Sequence, residues 1–259
     1  MRYLIAGQSE KGKRKGVNQD SILLVKDLFF GQEYLLAVVC DGMGGLKSGE
    51  LASKAVVRFF SEWFEKTVPE ILTEQNEEEF EDRLYDSWEV LLQNVHEKIK
   101  KYGHDNGIQI GTTVTALFLW GAEYYIAHIG DSRIYEINQD VVQLTRDQTL
   151  SCFEKQGTQV NEDAKKKNSS GVLLQGVGAS EKIYPVYVSG KAKEKAVYLL
   201  CSDGFRHLLS SSELAEWFCP EEMPDEKSMA EKLDCAINAI RNRGEKDDIS
   251  VLLIRTAND

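Results

Sequence analysis

Two stretches of the sequence, residues 34–40 and 196–201, are almost wholly apolar, and each leads into an aspartate followed by glycine: Asp41-Gly42 after the first, Ser202-Asp203-Gly204 after the second. A strand that alternates apolar and polar residues buries one face, whereas one without polar alternation is covered on both. The fold must therefore place these two strands inside, with an acidic group at the end of each. At 259 residues, 42% apolar and 28% charged, the chain can bury roughly three quarters of its unfolded surface. That composition excludes a disordered or collagen-like protein.

Other short runs rich in β-branched, aromatic or leucine residues and bounded by turn signals predict strands at 21–25, 113–120, 123–129, 133–137, 141–144, 183–188 and 249–255. Helical spacing predicts helices near 49–65, where Leu51, Ala55, Phe59 and Phe60 share a face, and near 79–102, 210–218 and 226–242. Ser211 or Ser212 is placed to cap the third, and the acidic run 74–79 suits a solvated loop and helix start. Strand runs interrupted by helix pairs, without regular βαβ alternation, predict an α+β domain with antiparallel sheets. Residues 161–171 carry three consecutive lysines and no apolar run. They read as a mobile surface segment inserted into one domain spanning 1–259, within a flap near 147–182.

The net charge is −11, which argues against a nucleic-acid or anionic-membrane surface, since phosphate backbones are bound mainly by Lys and Arg. No apolar run approaches the roughly 18–20 residues that cross a bilayer. A cytoplasmic protein is expected. The five cysteines, Cys40, Cys152, Cys201, Cys219 and Cys235, are odd in number and form no C-x-x-C pair, so buried free thiols are expected rather than disulfides or zinc.

Four aspartates flank strands: Asp20 before 21–25, Asp41 after 34–40, Asp203 after 196–201 and Asp247 before 249–255. Each alone suits a turn. Converging at neighbouring strand ends, they repel unless a cation neutralises them, and Mg²⁺ or Mn²⁺ needs only one or two carboxylates and keeps several waters. Two such ions about 4 Å apart activate water and clamp both oxygens of a displacement at phosphorus. Competing motifs fail. The run 42–48 lacks the glycine that a P-loop places before Lys-Ser, having Leu46 there. Arg206 follows Cys201 after four residues, where the phosphate loop of cysteine phosphatases has five.

The ordered series Asn18-Gln19-Asp20, Asp41-Gly42-Met43-Gly44-Gly45, Gly49-Glu50, Gly111-Thr112-Thr113, Gly130-Asp131-Ser132-Arg133, Leu144-Thr145, Ser202-Asp203-Gly204 and Asp247-Asp248-Ile249-Ser250 resembles the motifs of the metal-dependent type 2C serine/threonine protein phosphatases. Met43 after Asp-Gly resembles the bacterial branch. The resemblance implies a four-layer α-β-β-α sandwich, two central antiparallel sheets flanked by helices, holding two Mg²⁺ or Mn²⁺ ions at one edge. By position, Asp41 bridges both ions, the Gly42 carbonyl binds one, Asp203 and Asp247 bind the other, and Asp20 holds metal-bound water. It further implies a weaker third ion at Asp131 with Asp203, and structural roles for Thr112 and Thr113. The implied reaction is in-line hydrolysis of phosphoserine and phosphothreonine by a metal-bridging hydroxide, with metal-bound water and no side-chain nucleophile. Phosphorylated proteins, substrates of a serine/threonine kinase, are the expected partners of a monomeric enzyme that binds neither nucleic acid nor membrane. The alternative is a catalytically weak phosphoprotein-binding module with the same fold.

The sequence also departs from that pattern. Lys15 stands where the family has a phosphate-gripping arginine, with Arg14 beside it as the alternative contact; lysine keeps the charge but lacks the bidentate fork. His207 replaces an acidic residue, Leu46 a histidine, and Asp248 an asparagine whose replacement adds negative charge unless its side chain points away. Lys165, Lys166 and Lys167 are candidates to contact acidic phosphoproteins. His128 is expected to be packed, and His96 and His104 to lie at the surface.

Overall fold

The computed structural model of the protein describes residues 1–13, 16–43, 48–154 and 172–257. Arg14, Lys15, Leu46, Lys165, Lys166, Lys167 and the inserted segment 161–171 lie outside the described residues.

Two five-stranded antiparallel sheets form the centre. The first has the order β1 (Arg2–Glu10), β10 (Ile249–Ala257), β9 (Val197–Cys201), β6 (Arg133–Ile137), β7 (Val141–Gln143). The second has β2 (Ser21–Phe29), β3 (Gln32–Cys40), β4 (Val114–Trp120), β5 (Glu123–Ile129), β8 (Val186–Lys191). Helices α1 (Gly49–Lys66), α2 (Val68–Ile71) and α3 (Glu77–Asn106) join β3 to β4. Helix α4 (Leu150–Glu154) follows β7, and α5 (Asp203–Arg206), α6 (Ser211–Trp217) and α7 (Glu226–Asn242) lie between β9 and β10.

Alternation along the strands builds three apolar layers. Leu35, Ala37 and Val39 face Leu200, Leu252 and Ile254 between the sheets. Leu36 and Val38 point the other way, onto Val56, Phe60 and Trp88 of α1 and α3. On the outer side of the first sheet, Leu199, Val251 and Leu253 pack on Leu233, Ile237 and Ile240 of α7. Both 34–40 and 196–201 are thus covered on both faces, the reason they lack polar alternation. The result is the expected α-β-β-α sandwich.

The sequence reading assigns no element to residues 2–10, yet β1 pairs with β10 from Arg2↔Ala257 to Glu10↔Ile249. Its Gly7-Gln8-Ser9-Glu10 half lacks strand propensity and is held by this register. The buried face of α1 runs through Ala52, Val56, Phe60 and Phe64, one residue away from the predicted stripe, which leaves Leu51 41% exposed. Ala52, with its single methyl, lets the helix lie close on the sheet. Ser210, not Ser211 or Ser212, caps α6, accepting from Glu213 N–H in a capping box. Asn76 caps α3 by accepting from Glu78 and Glu79, at the acidic helix start read from the sequence. Only Cys40 and Cys201 of the free thiols are buried; Cys235 is exposed. His96 is buried, its Nδ1 accepting from Gly178 N–H at 3.0 Å, because the chain returning after residue 172 packs over the end of α3.

Candidate metal centre

Antiparallel register carries the four predicted aspartates to one end of the sandwich. Ser21 pairs with Cys40, so Asp20 and Asp41 end the same side of the β2–β3 ladder. Val251 pairs with Cys201, and Ser202 N–H donates to Ser250 O at 3.0 Å, so Asp203 and Asp247 end the corresponding side of β9–β10. Gly204 fits against the Asp248 carbonyl, where a Cβ would lie 2.1 Å from that oxygen. Glycine is therefore what allows the α5 turn to nest on the strand carrying Asp247.

The aspartate loops are held by backbone contacts. Asp41 N–H donates to Thr113 Oγ1 at 2.9 Å, and the Asp41 carbonyl accepts from Thr113 N–H and Thr112 Oγ1, each at 2.9 Å. Gly42 sits between Gln19 and Gly49, where a Cβ would fall 2.4 Å from Gln19 O and 2.8 Å from Gly49 O. Asp20 N–H donates to Asn18 Oδ1 at 3.0 Å, and Ser53 of α1 donates to the Gln19 carbonyl at 2.7 Å. Arg241 Nη1 donates to the Asp247 carbonyl at 2.7 Å, while Glu245 Oε1 accepts from Asp247 N–H at 2.9 Å.

Asp20 is the electrostatic centre of this edge. It is 5% exposed, and neither carboxylate oxygen accepts a hydrogen bond. Burial pushes its carboxyl up to about 7; the nearby Ser250 and Ser202 hydroxyls oppose the rise, and Asp248 and Asp203 add to it by repulsion. A buried carboxylate with unpartnered oxygens beside another acidic group has the character of a cation site. Among the described residues no three His, Cys, Asp or Glu side chains are grouped to hold an ion by themselves.

Asp131 enters from the crossover between sheets. Gly130 follows β5 with φ +117°, a conformation that favours glycine, and a Cβ there would strike the Thr113 side chain at 2.5 Å. Asp131 is 9% exposed. Burial pushes its carboxyl up to about 6, with repulsion from Asp203 adding and Arg206 opposing. Asp147 holds Arg133 through two 2.7 Å bonds; burial works to raise its carboxyl, but Arg133 and Arg206 hold it below its usual range.

Sequence reasoning did not identify three contributors to this edge. Ser202 and Ser250 stand near Asp20 as small hydroxyls at the ends of apolar strands, a signal present in the sequence. Arg206 served there only to reject Cys201 as a nucleophile. That rejection is physical as well: Cys201 is fully buried, and burial pushes its thiol up to about 12. His207 is exposed, with Nδ1 3.7 Å from Glu245 Oε2, and His128 is packed, bonded to Thr115 and the Arg146 carbonyl.

The family profile for protein phosphatase 2C matches residues 8–238. The chain belongs to the protein phosphatase 2C family. It is a metal-dependent protein phosphatase of the bacterial branch. Over 226 residues it is 29% identical to the serine/threonine phosphatase stp of Listeria innocua, covering 85% of this chain and 83% of that one. The S. agalactiae serine/threonine phosphatase superposes with a TM-score of 0.79 at 26% identity, covering 98% of this chain and all of the other. The catalytic domain of the phosphatase PstP, solved in complex with two manganese ions, shares the fold with a TM-score of 0.73 at 22% identity, over 99% of each chain. Among the described residues no helix is long and apolar enough to cross a membrane.

Proposed function

We propose that this phosphatase hydrolyses phosphoserine and phosphothreonine in proteins, using two Mg²⁺ or Mn²⁺ ions held by Asp41, the Gly42 carbonyl, Asp203 and Asp247, with Asp20 behind them. The observation that carries the reading is Asp20, buried with both oxygens unpartnered, at an edge shared with the other three aspartates. Bound ions there supply Lewis-acid activation of water and neutralise the phosphoryl oxygens.

The chain's own residues set the geometry. Thr112 and Thr113 fix Asp41 through its backbone, Arg241 and Glu245 fix the loop of Asp247, and Ser202 and Ser250 face Asp20. The phosphoryl group is proposed to pass directly to water with no phosphoenzyme; Cys201 on β9, a buried, high-pKa thiol, is not suited to act as a nucleophile in its place. Lys15, or Arg14 in its place, is proposed to bind the substrate phosphate. The natural substrates are taken to be products of a serine/threonine kinase, and the enzyme to act as a monomer. A cytoplasmic location is supported by five unpaired cysteines, which a reducing compartment keeps free.

The test is phosphate release from a phosphothreonine peptide with Mn²⁺, with EDTA, and with Asp41→Asn. Release that needs Mn²⁺ and is lost in the variant supports the reading. Phosphopeptide binding without release above the Asp41→Asn control would establish a binding module instead.

A further inference from the structure

The family resemblance implies a third cation at Asp131, but the structure already places a positive charge there. Arg206, at the end of α5, directs Nη2 to the Asp131 carbonyl at 3.0 Å and to Asp131 Oδ2 at 3.6 Å. The same Nη2 lies 3.5 Å from Asp147 Oδ2, and Asp147 is clamped in turn by Arg133. Side-chain exposure is 14% for Arg206, 12% for Asp131 and 14% for Asp147, so water screens this network little.

We infer that the Arg206 guanidinium takes the place of a third metal ion, neutralising Asp131 beside Asp203 and leaving a two-ion enzyme. A guanidinium stays charged at every working pH and cannot leave as an ion can. A divalent ion on the Asp131 carboxylate would sit within a few ångströms of that fixed charge in a poorly screened site, where like charges repel strongly. Dislodging Arg206 would break its bond to the Asp131 carbonyl and its pairing with Asp147. Asp131 is thereby the partner of a guanidinium rather than a metal ligand. The same substitution explains how the chain tolerates His207 in place of an acidic residue one position later: the acidic group has no third ion to support.

This inference rests on the metal-centre reading above, and counting ions separates the two. Isothermal titration with Mn²⁺ into metal-free protein is expected to give two sites for the wild type and two sites of affinity within threefold for Asp131→Asn. Arg206→Ala is expected to gain a third, weaker site that disappears in the double variant Asp131→Asn/Arg206→Ala. Three sites in the wild type, one of them lost in Asp131→Asn, would overturn the inference while leaving the metal centre intact, as would a folded Arg206→Ala that still binds two. No Mn²⁺ binding by the wild type would contradict the metal centre itself and the inference with it. Should Arg206→Ala fail to fold, the comparison of wild type with Asp131→Asn decides alone.

Discussion

The Gln19 backbone N–H donates to Asp248 Oδ2 at 2.9 Å across 229 residues of sequence. Oδ1 of the same carboxylate accepts from Gly12 N–H at 2.7 Å. Asp248, 2% exposed, thus ties both ends of the loop between β1 and β2 to the start of β10 and seats Asp20 next to Gln19. Its charge also raises Asp20, so the added negative charge expected from the sequence is felt, while its oxygens serve the backbone.

Asp248→Ala is expected to destabilise the protein by about 3 kcal/mol, because hydrogen bonds to a charged group contribute about 1.5–3 kcal/mol each and two buried donors lose their acceptor. Asp248→Asn retains one acceptor oxygen and should fall between. Urea denaturation of metal-free protein measures both. A variant of wild-type stability whose only defect is weaker Mn²⁺ binding would assign Asp248 to the metals instead.

Gly42→Ala should abolish most phosphatase activity although the carbonyl at that position is retained. The new Cβ meets backbone on both sides, Gln19 O and Gly49 O, so no rotamer relieves it, and overpacking of this kind costs about 1–3 kcal/mol. Activity and circular dichroism measured together check the prediction: a folded variant with full kcat/KM would show that the close approach of these loops is dispensable.

His128 gives the fold an acid sensitivity of defined sign. Burial lowers it from 6.5 to about 4, against smaller upward contributions from the Arg146 carbonyl and Asp147. Above pH 6.5 the folded and unfolded chains are both neutral at this position and it contributes nothing to the pH dependence. As pH falls below 6.5, the unfolded chain takes up a proton that the folded one refuses, so stability drops until about pH 4, by about 3 kcal/mol in all. The difference in unfolding free energy between wild type and His128→Gln, followed from pH 7.5 to 4.5, should therefore move in favour of the variant as pH falls. A constant difference would contradict this.

The fold was legible where burial left a periodic trace. Residues 34–40 and 196–201 are apolar throughout because both faces are covered, and β5 and β6 match their predicted bounds because turns at both ends are sharply marked. Strand β1 was hidden because its pairing with β10 is a long-range fact that local composition does not carry. The aspartates were legible because strand ends are where an antiparallel register brings side chains together. Arg206 and Asp248 were not, since whether a charge faces an ion, a carboxylate or a backbone N–H depends on a rotamer and on loops far away in sequence.

The central claim is that the edge bearing Asp20, Asp41, Asp203 and Asp247 is a divalent-cation centre, and the most direct measurement is the thermal midpoint of wild type and Asp20→Asn at pH 8, each in EDTA and in Mn²⁺. At that pH Asp20, pushed up to about 7, is a buried and repelled carboxylate in the metal-free protein, so Asp20→Asn should melt higher than wild type in EDTA. Mn²⁺ at a hundred times its dissociation constant should raise the wild type by about 5–10 °C per ion and the variant by less, reversing their order. A wild-type midpoint unmoved by Mn²⁺, together with a destabilised Asp20→Asn in EDTA, would contradict the account.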